Sequence, residues 1–146
     1  MKYLELRASS AQAAPASVTG DTIKVEPDAS PFIEAEFILD VTAAATDATD
    51  TLDVYIDFSP DGGISWVNAI HFTQVLGNGG AKKEIAKITA NTGLSTPTAP
   101  LSIAADAASG AVRNISLFEC VRYRSVSVDA STDNGSFTWS LKAVYR

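Results

Sequence analysis

Hydrophobic side chains recur at every second position along most of this chain, and hardly any segment carries the 3.6-residue period of a helix. The clearest case is "TLDVYIDFS" (51–59), where Leu52, Val54, Ile56 and Phe58 fall on one face and Asp53, Tyr55 and Asp57 on the other. In "PFIEAEFILDVTA" the same alternation sends Ile33, Ala35, Phe37, Leu39 and Val41 inward and Glu34, Glu36 and Asp40 outward. "SFTWSLKAVYR" places Phe137, Trp139, Leu141, Ala143 and Tyr145 together. These are the signatures of half-buried antiparallel strands with one solvated face. Further strands are expected at "YLELRA", "DTIKVE", "SWVNAIHFTQV", "VRNISLF" and "CVRYRSVSVDA". "AKKEIAKI" fits a third meander strand better than a short helix, because strands and Gly-rich turns bracket it.

Two stretches break the pattern. Residues 9–20, rich in small side chains, read as an N-terminal arm or loop. Residues 89–111 read as a long loop with room for one helical turn in "LSIAADAA". About nine strands with turn signals at short spacing predict an all-β fold. The expected form is an antiparallel β-sandwich of jelly-roll type, with a closed barrel as the alternative. The length, 146 residues, predicts a single domain over 1–146.

Charge narrows the partners. The net charge of −6 disfavours nucleic acid, whose phosphates need a basic face. The acidity is uneven: residues 1–80 hold 3 Lys/Arg and 12 Asp/Glu, and residues 81–146 hold 8 and 5. Either the two halves interleave and the charges mix, or the asymmetry steers self-association. The interleaved arrangement is the expectation. No apolar run approaches the length of a membrane span, and Glu5 and Arg7 interrupt the one N-terminal run that resembles a signal sequence. Cys120 is the one cysteine, so an internal disulfide is excluded and folding in a cytoplasm is expected.

The octet "SPDGGISW" (59–66) fits the S-x-D-x-G-x-[T/S]-W pattern and resembles the Asp-box hairpin of sialidases and related propellers. The resemblance implies structural roles for Ser59, Asp61, Gly63, Ser65 and Trp66 in a tight turn. Pro60 suits a turn, Asp61 can accept backbone N–H bonds, and Gly62 and Gly63 permit positive φ. Ser65 can bond back toward Asp61, and Trp66 can fold beneath the loop. A partial copy, "STDNGSFTW" (131–139), keeps Ser131, Asp133 and Gly135, but its tryptophan follows the glycine by four residues rather than three. One extra residue reverses the face of a strand side chain, so this is a similar hairpin and not a second box. A propeller needs at least four blades, and the chain is too short for one.

No catalytic, cofactor or metal site is expected. His71 is the one histidine and reads as a partly exposed strand residue. Asp47, Asp50, Asp53, Asp57 and Asp61 match no calcium-loop spacing, and Asp53 and Asp57 lie roughly 13 Å apart at strand rise. They read as a solvated acidic face. Arg122 and Arg124 share one strand face and read as surface positions, able to pair with the acidic face across the sheet or across a subunit boundary. Among Tyr55, Trp66, Phe72, Tyr123, Phe137, Trp139 and Tyr145, most fall inward, and Tyr55 falls on the exposed face.

Thr51 to Gly77 and Cys120 to Val144 together resemble small virion proteins of tailed bacteriophages. Those proteins often carry T-L-D-V-x-[I/V]-x-x-S-x-D-G-G-x-x-W-x-D-x-x-x-F-T-Q-V-x-G. An R-x-R-x-x-[V/W]-x-[V/I] strand, a Gly/Asp/Ser turn and an S-F-T-F/W-S-[V/L] strand often close them. Asn68 stands here where Asp is commoner. The resemblance implies a capsid decoration or cement protein. Such a protein is made in the host bacterial cytoplasm and placed on the capsid surface, where it contacts the major capsid protein and self-associates, commonly as a trimer. A tail or fibre-base module contacting other virion proteins or host glycans is the alternative.

Overall fold

The computed structural model describes residues 1–26, 32–89, 105–113, 115, 117, 119–130 and 135–146. The described residues form eleven strands and no helix. They are β1 (Lys2–Ala13), β2 (Ala16–Thr19), β3 (Ile23–Lys24), β4 (Glu34–Ala43), β5 (Thr51–Ser59) and β6 (Val67–His71). They continue with β7 (Val75–Leu76), β8 (Lys82–Thr89), β9 (Ala111–Val112), β10 (Cys120–Val128) and β11 (Ser136–Tyr145). One sheet has the order β1-β11-β4-β8; the other runs β2-β10-β5-β6-β9, with β3 on β10 and β7 on β5. The two sheets pack face to face as an antiparallel β-sandwich, so the barrel alternative is set aside.

Leaving aside the two-residue strands, the pairing is nested. β1 pairs with β11, β2 with β10, β4 with β8 and β5 with β6, all antiparallel. The ribbon is then stitched to itself by β11 on β4 and β10 on β5. Alternating residues from both sheets meet in one hydrophobic cluster, including Phe37, Leu39, Leu52, Ile56, Phe58, Val121, Phe137 and Trp139. The inward faces expected of 51–59 and 136–145 are confirmed in full, since Leu52, Val54, Ile56, Phe58, Phe137, Trp139, Leu141, Ala143 and Tyr145 are all buried.

Several expectations need correction. Residues 9–20 are mostly strand: β1 runs to Ala13, and after a cis Ala14–Pro15 bond the chain enters the other sheet as β2. Small side chains there suit a strand that turns a corner between sheets. Gln12 is buried at that corner, donating to Ser127 Oγ at 3.2 Å and accepting from Ser125 Oγ at 2.8 Å and Trp139 Nε1 at 3.3 Å. Ile33 precedes β4 and is 67 % exposed, because strand alternation starts only at Glu34. The "AKKEIAKI" stretch is a strand but no meander, since β8 crosses to pair with β4. "DTIKVE" supplies only β3. Among the described residues of "VRNISLF", Val112 alone is strand, as the end of β9; Arg113, Ile115 and Leu117 have no regular structure. Of the expected 89–111 loop, Thr89 belongs to β8 and Ala111 to β9, residues 105–108 are not helical, and 90–104 lie outside the described residues. So do Ser131 and Asp133 of the partial copy.

The acidic half (1–80) and the basic half (81–146) interleave, as expected. Arg146 pairs with Glu34 and Glu36, Lys87 with Glu34, Lys83 with Asp40, and both Arg122 and Arg124 with Asp57.

Candidate functional site

The hairpin between β5 and β6 is built as the octet implies, with Ser59 at its centre. Ser59 Oγ accepts from Gly63 N at 2.7 Å and donates to Asp61 Oδ1 at 2.8 Å. Asp61 Oδ1 also accepts from Ser65 N at 2.7 Å. The Ser65 backbone N–H, helped by the Ser59 hydroxyl, holds the Asp61 carboxyl below its usual range. Gly62 and Gly63 take φ of +74° and +102°, where a Cβ would be strained. Trp66 Nε1 donates to Gly63 O at 3.1 Å, so the indole does fold under the turn. Trp66 is half-buried rather than part of the core, and the Arg122 guanidinium covers its ring at 4.1 Å from the centroid.

The outer face of β5, β6 and β10 departs most from expectation. Asp57 was expected on a solvated acidic face; it is 2 % exposed. Arg124 grips it twice, from Nε at 2.6 Å and from an Nη at 3.1 Å; Arg122 Nε lies at 3.3 Å and Asn68 Nδ2 at 3.2 Å. Thus Arg122 and Arg124 pair across the sheet and are not simple surface positions. Arg124 reaches further, to Asp106 at 2.6 Å. Burial opposes its charge, but the Asp57 and Asp106 carboxylates overcome that and push its pKa up.

Asn68 explains its departure from the virion pattern. Its Nδ2 shares two N–H donors among Ile56 O, Asp57 Oδ1 and Ile70 O, and its Oδ1 accepts from Ala107 N at 2.8 Å. It pins the bulge between Ile56 and Asp57 and docks residue 107 over the sheet. An aspartate would lack the donor that faces Asp57.

His71, expected to be partly exposed, is 8 % exposed. Its Nδ1 lies 2.9 Å from Ala107 O and its Nε2 2.8 Å from Asp53 Oδ1. Both partners are oxygens, so the ring is held in place from both nitrogens. Gln74 Nε2 donates to the other Asp53 oxygen at 2.8 Å. Tyr55 lies half-buried between the stacked His71 ring at 4.2 Å and the Arg124 guanidinium at 4.7 Å.

The remaining members of the acidic run have separate roles. Asp47 Oδ1 accepts from Thr49 N and Oγ1. Asp50 is fully buried: Oδ1 accepts from Ala130 N at 3.1 Å, and Oδ2 lies beside Gly135 without a hydrogen-bond partner. Among the described residues, no three His, Cys, Asp or Glu side chains converge to hold a metal ion. No helix among them is long and apolar enough to cross a membrane.

A cleft of 330 Å³ opens between the sheets where β8 and β9 form their free edges. Ile70, Phe72, Ile85, Ala86 and Val112 supply its apolar lining, beside His71, Glu84 and Lys87.

Sequence reasoning found the hairpin residues and the two arginines. It missed Asn68, Gln12, Asp106 and the lid formed by residues 105–107. Alternation marks which face a residue takes, and it is silent on whether a later segment covers that face. No family model, curated protein or solved structure matches the chain.

Proposed function

We propose that this chain is a structural virion protein of a tailed bacteriophage, a decoration or cement protein that binds the major capsid protein on the assembled head. The observation that carries the reading is the nested pairing of the eight longer strands. First pairs with last, second with seventh, third with sixth and fourth with fifth. That wrapping is how a jelly roll is made, an architecture recurrent in viral capsid domains. The motif-bearing hairpin at 59–66 closes the innermost pair, so the residues that resemble virion proteins also fix the centre of the wrap.

The outer faces suit a load-bearing role. Ion pairs and guanidinium–ring stacks cross-link neighbouring strands on both sheets, through Arg146, Glu34 and Lys87 on one and Arg124, Asp57 and Arg122 on the other. The glycan-binding alternative draws less support. Trp66 has Arg122 over its ring, and Tyr55 has both His71 and Arg124 against its ring, so part of each ring's stacking surface is already taken.

Electron microscopy of the native particle, with the copy number of this chain per virion, tests the proposal. Hundreds of copies on the head are expected. A few copies at the tail or portal would overturn the decoration role and favour the tail-module reading.

A further inference from the structure

The fold treats Asn68 and Asn78 oppositely. Asn68 is buried, and both ends of its amide are bonded. Asn78 is exposed, and its amide makes no hydrogen bond to a described residue. Glycine follows it, so no side chain screens its Cγ from the next backbone nitrogen. Two Asn-Gly pairs occur in the chain, and Asn78–Gly79 is the one whose residues are both described. We propose that Asn78 is a modification site, at which the folded chain deamidates spontaneously through a succinimide.

The Gly79 backbone nitrogen gives up its proton to solvent base and attacks Asn78 Cγ. The new N–Cγ bond closes a cyclic imide. The Cγ–Nδ2 bond breaks, and Nδ2 takes a proton and leaves as ammonia. Water then opens the imide and is the one co-reactant consumed. Attack at Cγ gives aspartate. Attack at the Asn78 backbone carbonyl gives isoaspartate, whose main chain carries an extra methylene.

The turn lies close to the geometry this needs. Gly79 N donates to Leu76 O at 3.2 Å, closing a β-turn over 76–79. Asn78 is its third residue, with φ of +58°, the positive value that a type II turn requires there. A positive φ with a ψ of about −120° is the first central conformation of a type II′ turn, and that ψ carries the next nitrogen round to Cγ. Rotation about the Asn78 ψ bond therefore suffices, and it breaks one long hydrogen bond. Upstream, Gly77 N is held on Asp50 O at 2.8 Å and Asn78 N on Ala45 O at 2.5 Å. The movement falls on Gly79 and Gly80, both exposed, which absorb it without a side chain to clash.

Asp61–Gly62 has the sequence for the same ring closure, but the fold withholds it. Ser65 N and the Ser59 hydroxyl hold Asp61 Oδ1 and keep the carboxyl below its usual range. An ionised carboxylate has no leaving group to release. At Asn78 either product adds a negative charge where the turn docks on residues 45–50, the loop that holds Asp47 and Asp50. Each chain thus records its age as added charge at this end of the sandwich.

The purified full chain is incubated at neutral and at mildly alkaline pH, digested, and mapped by mass spectrometry. The peptide holding Asn78 should gain the mass difference between an acid and an amide, faster at the higher pH. Isoaspartate in that peptide should take a methyl group from S-adenosylmethionine when purified isoaspartyl methyltransferase is added. Asn78→Gly tolerates the positive φ and removes the amide, so its corresponding peptide should show neither signal. The folded chain should react within about tenfold of its rate in urea, since one hydrogen bond restrains the rotation. Conversion slower than that in the folded chain overturns the proposal. So does an Asn78 peptide that stays unmodified at both pH values, or methylation of that peptide that Asn78→Gly leaves unchanged.

Discussion

Ser59 and Asp61 close the hairpin tip from opposite sides of one turn, and their substitutions should differ. Ser59 is buried and bonds both Gly63 N and Asp61, so Ser59→Ala should cost about 1 kcal/mol in urea unfolding. Asp61 is exposed and its folded-state pKa is depressed by the Ser65 N–H and the Ser59 hydroxyl. A depressed carboxyl stabilises the fold above its unfolded-state pKa and loses that contribution as pH falls through the folded value. Asp61→Ala should therefore lower the melting temperature near neutral pH, with the gap to wild type closing in acid. A gap that widens in acid would show that the carboxylate is not the stabilising form. Gly77 offers a steric counterpart: a Cβ there would overlap the backbone carbonyl of Asp47, so Gly77→Ala must displace the 47–50 turn.

At the scale of the element, β5 illustrates where alternation stops being informative. Its inward residues were legible because period two is imposed by the backbone. Its outward residues were legible as a face but not as a buried one. Residue 107, fifty positions beyond Asp57, covers that face through bonds to Asn68 and His71 on β6, and nothing local to Asp57 records it. Because Asp57 is buried, removing Arg124 leaves a carboxylate short of charge. The cost of breaking a fully buried pair is reduced here, since Arg124 is a quarter exposed and Arg122 remains. Arg124→Gln should then destabilise by about 1–3 kcal/mol in urea unfolding. Asp57→Asn should cost less in the Arg124→Gln background than alone, and additivity of the two would refute the coupling.

The whole molecule was legible as a sandwich because enough strands alternated cleanly to need two faces of core. The N-terminal segment was not. Ala, Ser and Gln give weak strand signals, and what makes 9–13 a strand is the partner it finds near the other end of the chain, Ser10 opposite Trp139 and Ala13 opposite Ser136. Arg7 adds to this by covering the Trp139 ring and donating to its carbonyl. An arm that merely reached for a partner could be removed without harm. Here, deleting residues 1–20 strips β1 and β2 from both sheets and uncovers Trp139. The truncated chain should lose its cooperative thermal transition by circular dichroism; retention of a sharp transition would restore the view of 9–20 as a free arm.

The nested pairing also bears on how quickly and in what order the chain can fold. Only β5 and β6 are neighbours in sequence, joined by seven residues (60–66), whereas β1 and β11 lie at opposite ends of the chain. Closing a long loop is entropically costly, but each inner pair shortens the effective loop that the next pair must close. The ribbon should zip outward from the "SPDGGISW" turn, slowly for its size because most contacts are distant in sequence. Ile56→Val in β5 should then mainly slow refolding, and Leu141→Ala in β11 should mainly speed unfolding. Stopped-flow measurements showing the reverse would place the nucleus at the joined ends instead of the hairpin.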